Sequence, residues 1–563
     1  MSEQRLSVEK KVRLDNVINE SSPETSSTDL INTLPSECLA RIFMCLDVFD
    51  RIEIRKICRN WKDTCDNFAW YDIKKFVCHP TIGRSYDNRK MNKSDVINAL
   101  FYCGRYLRHL KLSEIVDSSI MALLGNTCKN LTHLEIKFDN FDEPIDENHY
   151  TEAFIKLTNL RSIKIEYYRE NSLHQDFPTQ VLNSLSEGVD EITLSNFPVS
   201  PFDSTLEKFN GLRILDLTNY TLNKNTMREI AKKTTIVKLS LRSCLIENED
   251  AALISNPINL ETLHLEDSRI SKECVIRTVK NCKTIKSLQV DCDLSSFAVG
   301  QITQLDTLKC LKVHHVDDLS VIRIVSSLKN LMELHMNCEN ISNVVLQDIG
   351  QLKKLECLVL SDGFNVDDDV IISISNNCSK LKRFELSNCK DATASALCEL
   401  AKLKNLEVLA LDNVENFDND AITCIVSECK NITSLELCTC YKLTEIGLRN
   451  IAKLENLKNL NFHDINNTSD AIFNGIHKLK SLSSTIAVNF TVEGMIMLLK
   501  NCPNLEELSI YQPPFNDEVL SCAVEETCRR TNNTLLTINM MSRFYGDLKN
   551  IASLSPLLKV TDF

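Results

Sequence analysis

The sequence predicts an α/β chain: a small helical unit followed by a curved solenoid of about 18–19 repeats, with short parallel strands inside and helices outside. Three observations carry that expectation. From residue 107 onward the pattern aliphatic-x-x-aliphatic-x-aliphatic recurs, mostly every 23–26 residues. Between residues 30 and 76 the apolar residues fall instead at helical spacing, and both tryptophans of the chain lie there. Glycine and proline number only 12 each in 563 residues, too few for an all-β protein built on tight turns, so the turns must be made some other way.

Residues 1–29 are polar, and the run from Asn19 to Thr28 has nothing to bury, which predicts a flexible tail. In residues 30–76, Leu34, Leu39, Ile42, Phe43 and Leu46 share helical spacing after Pro35, whose missing amide proton suits a first helical turn. A second set follows in Ile52, Ile54, Ile57, Cys58, Trp61 and Cys65, then Phe68, Trp70 and Phe76. About 45 residues cannot bury a generous core, so this unit is expected to expose apolar surface or lean on a neighbour. Residues 77–106, with Arg84, Arg89, Lys90 and Lys93, read as a connector, and residues 107–563 as the repeat domain.

The run Leu34-Pro35-Ser36-Glu37-Cys38-Leu39-Ala40-Arg41-Ile42-Phe43-Met44-Cys45-Leu46, then Asp50-Arg51, Ile57-Cys58-Arg59-Asn60-Trp61 and Trp70, resembles an F-box. Cys38 stands where a larger aliphatic is usual, and Ile57 replaces the commoner valine. The repeats, from Leu107-Leu110-Leu112 and Leu131-Leu134-Ile136 through Leu406-Leu409-Leu411 to Leu535-Ile538-Met540, have the period of leucine-rich repeats. A degraded unit is expected near Ile486 and Val488, and a final one at Leu557-Val560. In each, strand alternation sends the three aliphatics into the core and the residues between them onto the opposite, concave face. Cys128, Cys282, Cys378, Cys429 and Cys502 stand three residues before a repeat's first aliphatic, and Cys244, Cys389 and Cys440 eight after it. That phase predicts small buried slots rather than reactive thiols, and it resembles the cysteine-containing class of these repeats commonly joined to F-boxes.

The resemblance to the F-box and leucine-rich-repeat family implies a non-catalytic substrate adaptor of an SCF-type cullin-RING ubiquitin ligase. Its F-box would dock on a Skp-type adaptor, and through it on cullin and RING subunits, while the repeats hold an unknown protein substrate. The adaptor-facing positions carried over are Leu34, Pro35, Ile42, Leu46, Ile57, Cys58 and Trp61, each of which could equally serve core packing. The alternative reading is a repeat scaffold that binds without leading to degradation.

Other classes are disfavoured. A net charge of −13 repels nucleic acid. No run approaches the roughly 20 apolar residues of a membrane helix, and the charged start Met1-Ser2-Glu3-Gln4-Arg5 is no signal-peptide core, so a soluble cytoplasmic or nuclear chain is expected. There is no C-x-x-C pair among the 24 cysteines and no zinc spacing, so neither a cofactor nor a metal is expected. No sequence motif supplies a catalytic constellation.

On the concave face, the middle position of each strand reads Lys111, Glu135, Lys164 at its start, an alternation suited to cross-strand ion pairing. With Lys74, Arg108 and Lys137 these lysines could instead cradle a polyphosphate, as in the plant hormone-receptor F-box proteins that bind inositol phosphate; the interspersed glutamates argue against it. His109, His133, His264, His314, His335 and His463 share that face on different strands, with no close pair at ligand spacing. For the substrate, Tyr511, Phe515, Met541 and Phe563 near the C-terminal end are the first candidates, against a terminal cap, and the apolar run Cys357, Val359, Val408 and Ala410 is the second.

Overall fold

The computed structural model describes residues 31, 34–78, 93–113, 118–139, 147–168, 179–196, 206–246, 251–257, 259–266, 270–292, 294, 296–465, 470–484, 490–510, 516–530, 534–540, 555 and 557–562. The chain divides into two compact units, residues 1–72 and 73–563.

The first unit holds three helices, α1 (Ser36–Met44), α2 (Val48–Ile54) and α3 (Arg59–Phe68). Pro35 precedes α1, where no amide proton is needed. Asp47 caps α2, its carboxylate accepting from the amides of Phe49 and Asp50 at 2.7 and 2.9 Å, which satisfies two donors that lack helical partners. Leu39, Ala40, Phe43, Val48, Phe49, Ile52, Cys65, Ala69 and Trp70 form the core. Arg51 lies among them, 1% exposed. A guanidinium is tolerated there because every direction is answered: it donates to the carbonyls of Met44, Leu46 and Ala69 at 2.6, 2.9 and 2.5 Å, and twice to Asp72 at 2.7 Å.

In the second unit the described residues form a sheet of 20 strands, each paired in parallel with the next in sequence. Strands alternate buried and half-buried residues, as in Glu333–Asn337 and Cys357–Ser361, and the aliphatics align in register, Leu334 with Leu358 and Leu358 with Phe384. Helices such as Asp368–Asn377 and Asn419–Glu428 return the chain, burying Val370, Ile371 and Ile374 or Ala421, Ile422 and Ile425 against the same core.

Two parts of the sheet differ from the sequence reading. The first strand is Lys75–Cys78, with Phe76 opposite Leu110 and Cys78 opposite Leu112, and helix Lys93–Cys103 follows it. Sheet and helix thus occupy residues read as the end of the helical unit and as connector; Ile73, Phe76 and Cys78 hold the triplet positions without a leucine among them. The degraded repeat is strand Ser481–Ser484, preceded by buried Leu479, while Ile486 and Val488 lie outside the described residues. Its third aliphatic is replaced by buried Ser484, which hid the pattern.

The scarcity of glycine is answered at the strand ends. Asn196, Asn219, Ser243, Asp362, Asn388, Asn413, Thr439 and Asp464 have φ between 50 and 64°, each two residues after a triplet's last apolar residue, and no described glycine has positive φ. Asn and Asp enter this left-handed region more readily than other side chains. Here their side chains also bond across repeats: Asn413 Nδ2 donates to Asn388 Oδ1 at 2.8 Å, and Asn388 Nδ2 to Asp362 Oδ1 at 2.7 Å.

The phased cysteines tie repeats in the same way. Cys282, Cys378, Cys429 and Cys502 are buried with Sγ 3.0, 3.9, 3.4 and 3.1 Å from the carbonyls of Pro257, Leu352, Leu403 and Ile476. Burial pushes each thiol up to about 11, far from the range of a nucleophile.

Candidate functional site

Helix α1 has two apolar faces. Leu39, Ala40 and Phe43 turn into the core, while Cys38, Ile42 and Cys45, at i, i+4 and i+7, are exposed in line with exposed Leu34 and Pro35. Exposure is 44% for Ile42, 36% for Leu34 and 62% for Ile57. Leu46, Cys58 and Trp61 are half-buried, with the Trp61 ring 5.1 Å from that of Phe43. All seven adaptor-facing candidates therefore reach the surface of the helical unit. Sequence reasoning missed Cys38 and Cys45 as part of this stripe, and it did not show that Arg51 and Asp72 hold the helices beneath it.

Several charged residues of the strand face are ion-paired. Lys111, Glu135 and Lys164 are opposite one another on successive strands. Lys111 reaches Glu135 at 3.0 Å, and Lys164 reaches Glu166 at 2.7 Å; the hydrogen bond that its ammonium donates to Glu166 holds Lys164 above its ordinary pKa. Lys74 lies 5.7 Å from the Tyr106 ring, its carbonyl bonded to the Arg108 amide at 2.8 Å. Arg108 is exposed and Lys137 half-buried. The strands bring these basic residues to one region, but glutamates neutralise two of them. Farther along, Asp216 binds Arg242 at 2.9 Å and Lys238 at 3.3 Å. His264 sits beside this cluster, its pKa lowered to about 4 by burial and then by Lys238 and Arg242.

The apolar run is interrupted. Val359 and Val408 are half-buried on strands separated by Arg383–Cys389, and Arg383 and Glu385 form an ion pair between them, with Cys357 opposite Arg383 and Ala410 opposite Glu385. Tyr511, Phe515, Met541 and Phe563 lie outside the described residues.

Parallel register also makes neighbours that linear spacing conceals. The His109 and His133 rings stack 4.1 Å apart, although no close histidine pair was expected. Glu333, His335 and Cys357 converge as well: His335 Nε2 lies 2.9 Å from Glu333 Oε1 and 3.5 Å from Cys357 Sγ. The hydrogen bond from His335 holds the Glu333 carboxyl well below the usual carboxylate range, helped by Lys312. Residues 22–24 apart meet because each repeat returns the chain one strand over, a signal available only after the repeat phase is known.

Among the described residues no helix is long and apolar enough to cross a membrane. Residues 31–72 match the F-box domain family. Among solved structures, the Rad7–Elc1 complex from yeast is similar at 16% identity over 78% of this chain and 94% of that chain, with a TM-score of 0.42. An internalin from Listeria monocytogenes is similar at 20% identity over 60% of this chain and 89% of that chain, with a TM-score of 0.33. A TLR13–ssRNA13 complex is similar at 16% identity over 79% of this chain and 64% of that chain, with a TM-score of 0.41. The chain carries an F-box domain at residues 31–72, followed by a repeat solenoid of parallel strands and helices.

Proposed function

We propose that this protein is the substrate-recognition subunit of an SCF-type ubiquitin ligase acting in the cytoplasm or nucleus. The Leu34, Pro35, Ile42 and Ile57 surface docks on a Skp-type adaptor joined to cullin and RING subunits, with Leu46, Cys58 and Trp61 supporting it. The strand face of the repeats holds a target protein for ubiquitination and degradation.

One observation carries the reading: the domain that matches an F-box presents an exposed apolar stripe, Pro35, Cys38, Ile42 and Cys45, on the helix whose other face is core. A unit this small leaves such a stripe exposed at a cost in solubility that a partner relieves. The repeats contribute no chemistry of their own in this scheme. Tethering a target beside a charged ubiquitin-conjugating enzyme converts a rare bimolecular encounter into a local one.

Affinity purification of the wild type beside Leu34→Ala/Pro35→Ala, with blotting for the adaptor and cullin, tests the assignment. Loss of both ligase subunits from the variant, with another protein retained, is the expected outcome, and the retained protein is the candidate substrate. Wild-type protein that recovers neither subunit would replace this reading with that of a non-degradative scaffold.

A further inference from the structure

We propose that Glu333, His335 and Cys357 bind one zinc-type divalent cation on the strand face, through a carboxylate oxygen, an imidazole nitrogen and a thiolate. The three donor atoms lie within 4.8 Å of one another. A tetrahedral zinc with bonds of about 2.3 Å to sulfur and 2.0 Å to nitrogen sets those two atoms about 3.5 Å apart. Cys357 Sγ and His335 Nε2 are 3.5 Å apart already. The edge between His335 Nε2 and Glu333 Oε1 is 2.9 Å, somewhat shorter than the roughly 3.3 Å of the same tetrahedron, and a small side-chain rotation opens it.

The backbone presents these donors without rearrangement. Glu333 and His335 are alternate residues of one strand, and Cys357 pairs in register with Glu333 on the next. Strand-borne ligands are held more tightly than loop-borne ones, which favours a defined site. Side-chain exposure of 25% for His335 and 33% for Glu333 leaves the cluster reachable from solvent while shielding it in part. That partial exposure leaves a fourth position open to a water or a partner's donor.

Lys312 is the opposing element. Its ammonium lies 2.9 Å from Glu333 Oε1 and competes with a cation for that carboxylate. This makes affinity tunable by a residue that is not itself a ligand.

The test uses the full chain, stripped with chelator and titrated with Co²⁺ and then Zn²⁺ under a non-coordinating reductant. Wild type is expected to bind one Co²⁺ with a thiolate-to-metal absorption band, which Zn²⁺ abolishes by displacement. The band is lost in Cys357→Ser, and affinity falls at least about tenfold in His335→Ala, two losses that check each other should either variant fold poorly. Cys424→Ser, on a returning helix, keeps the band and controls for the other thiols. Lys312→Met binds roughly tenfold tighter, the size expected on removing one unit charge beside a dication near solvent. A wild type without the band, or a band equally strong in Cys357→Ser, overturns the site.

Discussion

In the helical unit a single side chain, Arg51, joins the end of α1, the turn after it and the segment beyond α3, through five hydrogen bonds. The repeat sheet is tied differently. There Asn130, Asn159, Asn259, Asn405, Asn431 and Asn456 each donate one bond to the backbone of the preceding repeat, between 2.7 and 3.2 Å, and the arrangement recurs. A small unit concentrates its order in one buried charge because it lacks the apolar volume to spread it. A long array spreads order over interfaces between neighbours, none of them decisive.

The sharpest way to break this comparison is Arg51→Ala. It leaves Asp72 and three carbonyls unanswered and is expected to destabilise the helical unit by about 3–5 kcal/mol. Hydrogen exchange resolved by segment should show protection lost in residues 34–72 and kept in the sheet. Next in size is Ile42→Asp. If the exposed stripe is the docking surface, adaptor affinity falls by about 2 kcal/mol or more while the thermal unfolding of the unit is unchanged. An equal fall in Tm would mark Ile42 as a packing residue instead.

The sheet offers smaller effects. Burial holds His264 neutral down to about pH 4, whereas the unfolded imidazole takes up a proton near 6.5. Stability from this group is therefore fully present above about pH 6.5 and is lost as pH falls towards 4, by an amount on the order of 1–2 kcal/mol after solvent screening. Urea midpoints at pH 7.5 and 5 measure the slope, which His264→Gln should reduce. Smallest is Asn388→Ala, which removes two cross-repeat bonds at a left-handed residue and should cost about 1 kcal/mol, with Asn388→Gly milder because glycine adopts that φ freely. If Asn388→Ala instead melted the whole sheet cooperatively at a loss like that of Arg51→Ala, order would be concentrated there too.

Much of the architecture was legible in the sequence, for a definite reason. Alternation forces Leu334, Leu358, Leu409 and their equivalents inward, and the phase of Cys378 and Cys429 follows from the same slots. The strand Lys75–Cys78 was not legible, since Phe76 suits a helical core as well as a strand, and Ser484 erased a repeat by replacing one aliphatic. Nor did composition reveal that asparagine and aspartate stand where glycine is usual; it showed only that glycine was missing. On the surface, the helical spacing of α1 gave the apolar positions but not which face was outward. The meeting of Glu333 with Cys357 needed the strand register, because residues 24 positions apart carry no local signature.

Within the 20-stranded sheet each strand pairs only with the strands of the adjoining repeats, roughly one repeat away in the chain. The loops that must close to form the sheet are consequently short, and closure entropy stays nearly constant however long the array becomes. Folding can begin in any well-formed repeat and proceed by accretion, without the distant pairings that slow most large β structures. During synthesis, a strand emerging from the ribosome meets a finished edge already waiting for it, so the chain can be built in the order in which it is made.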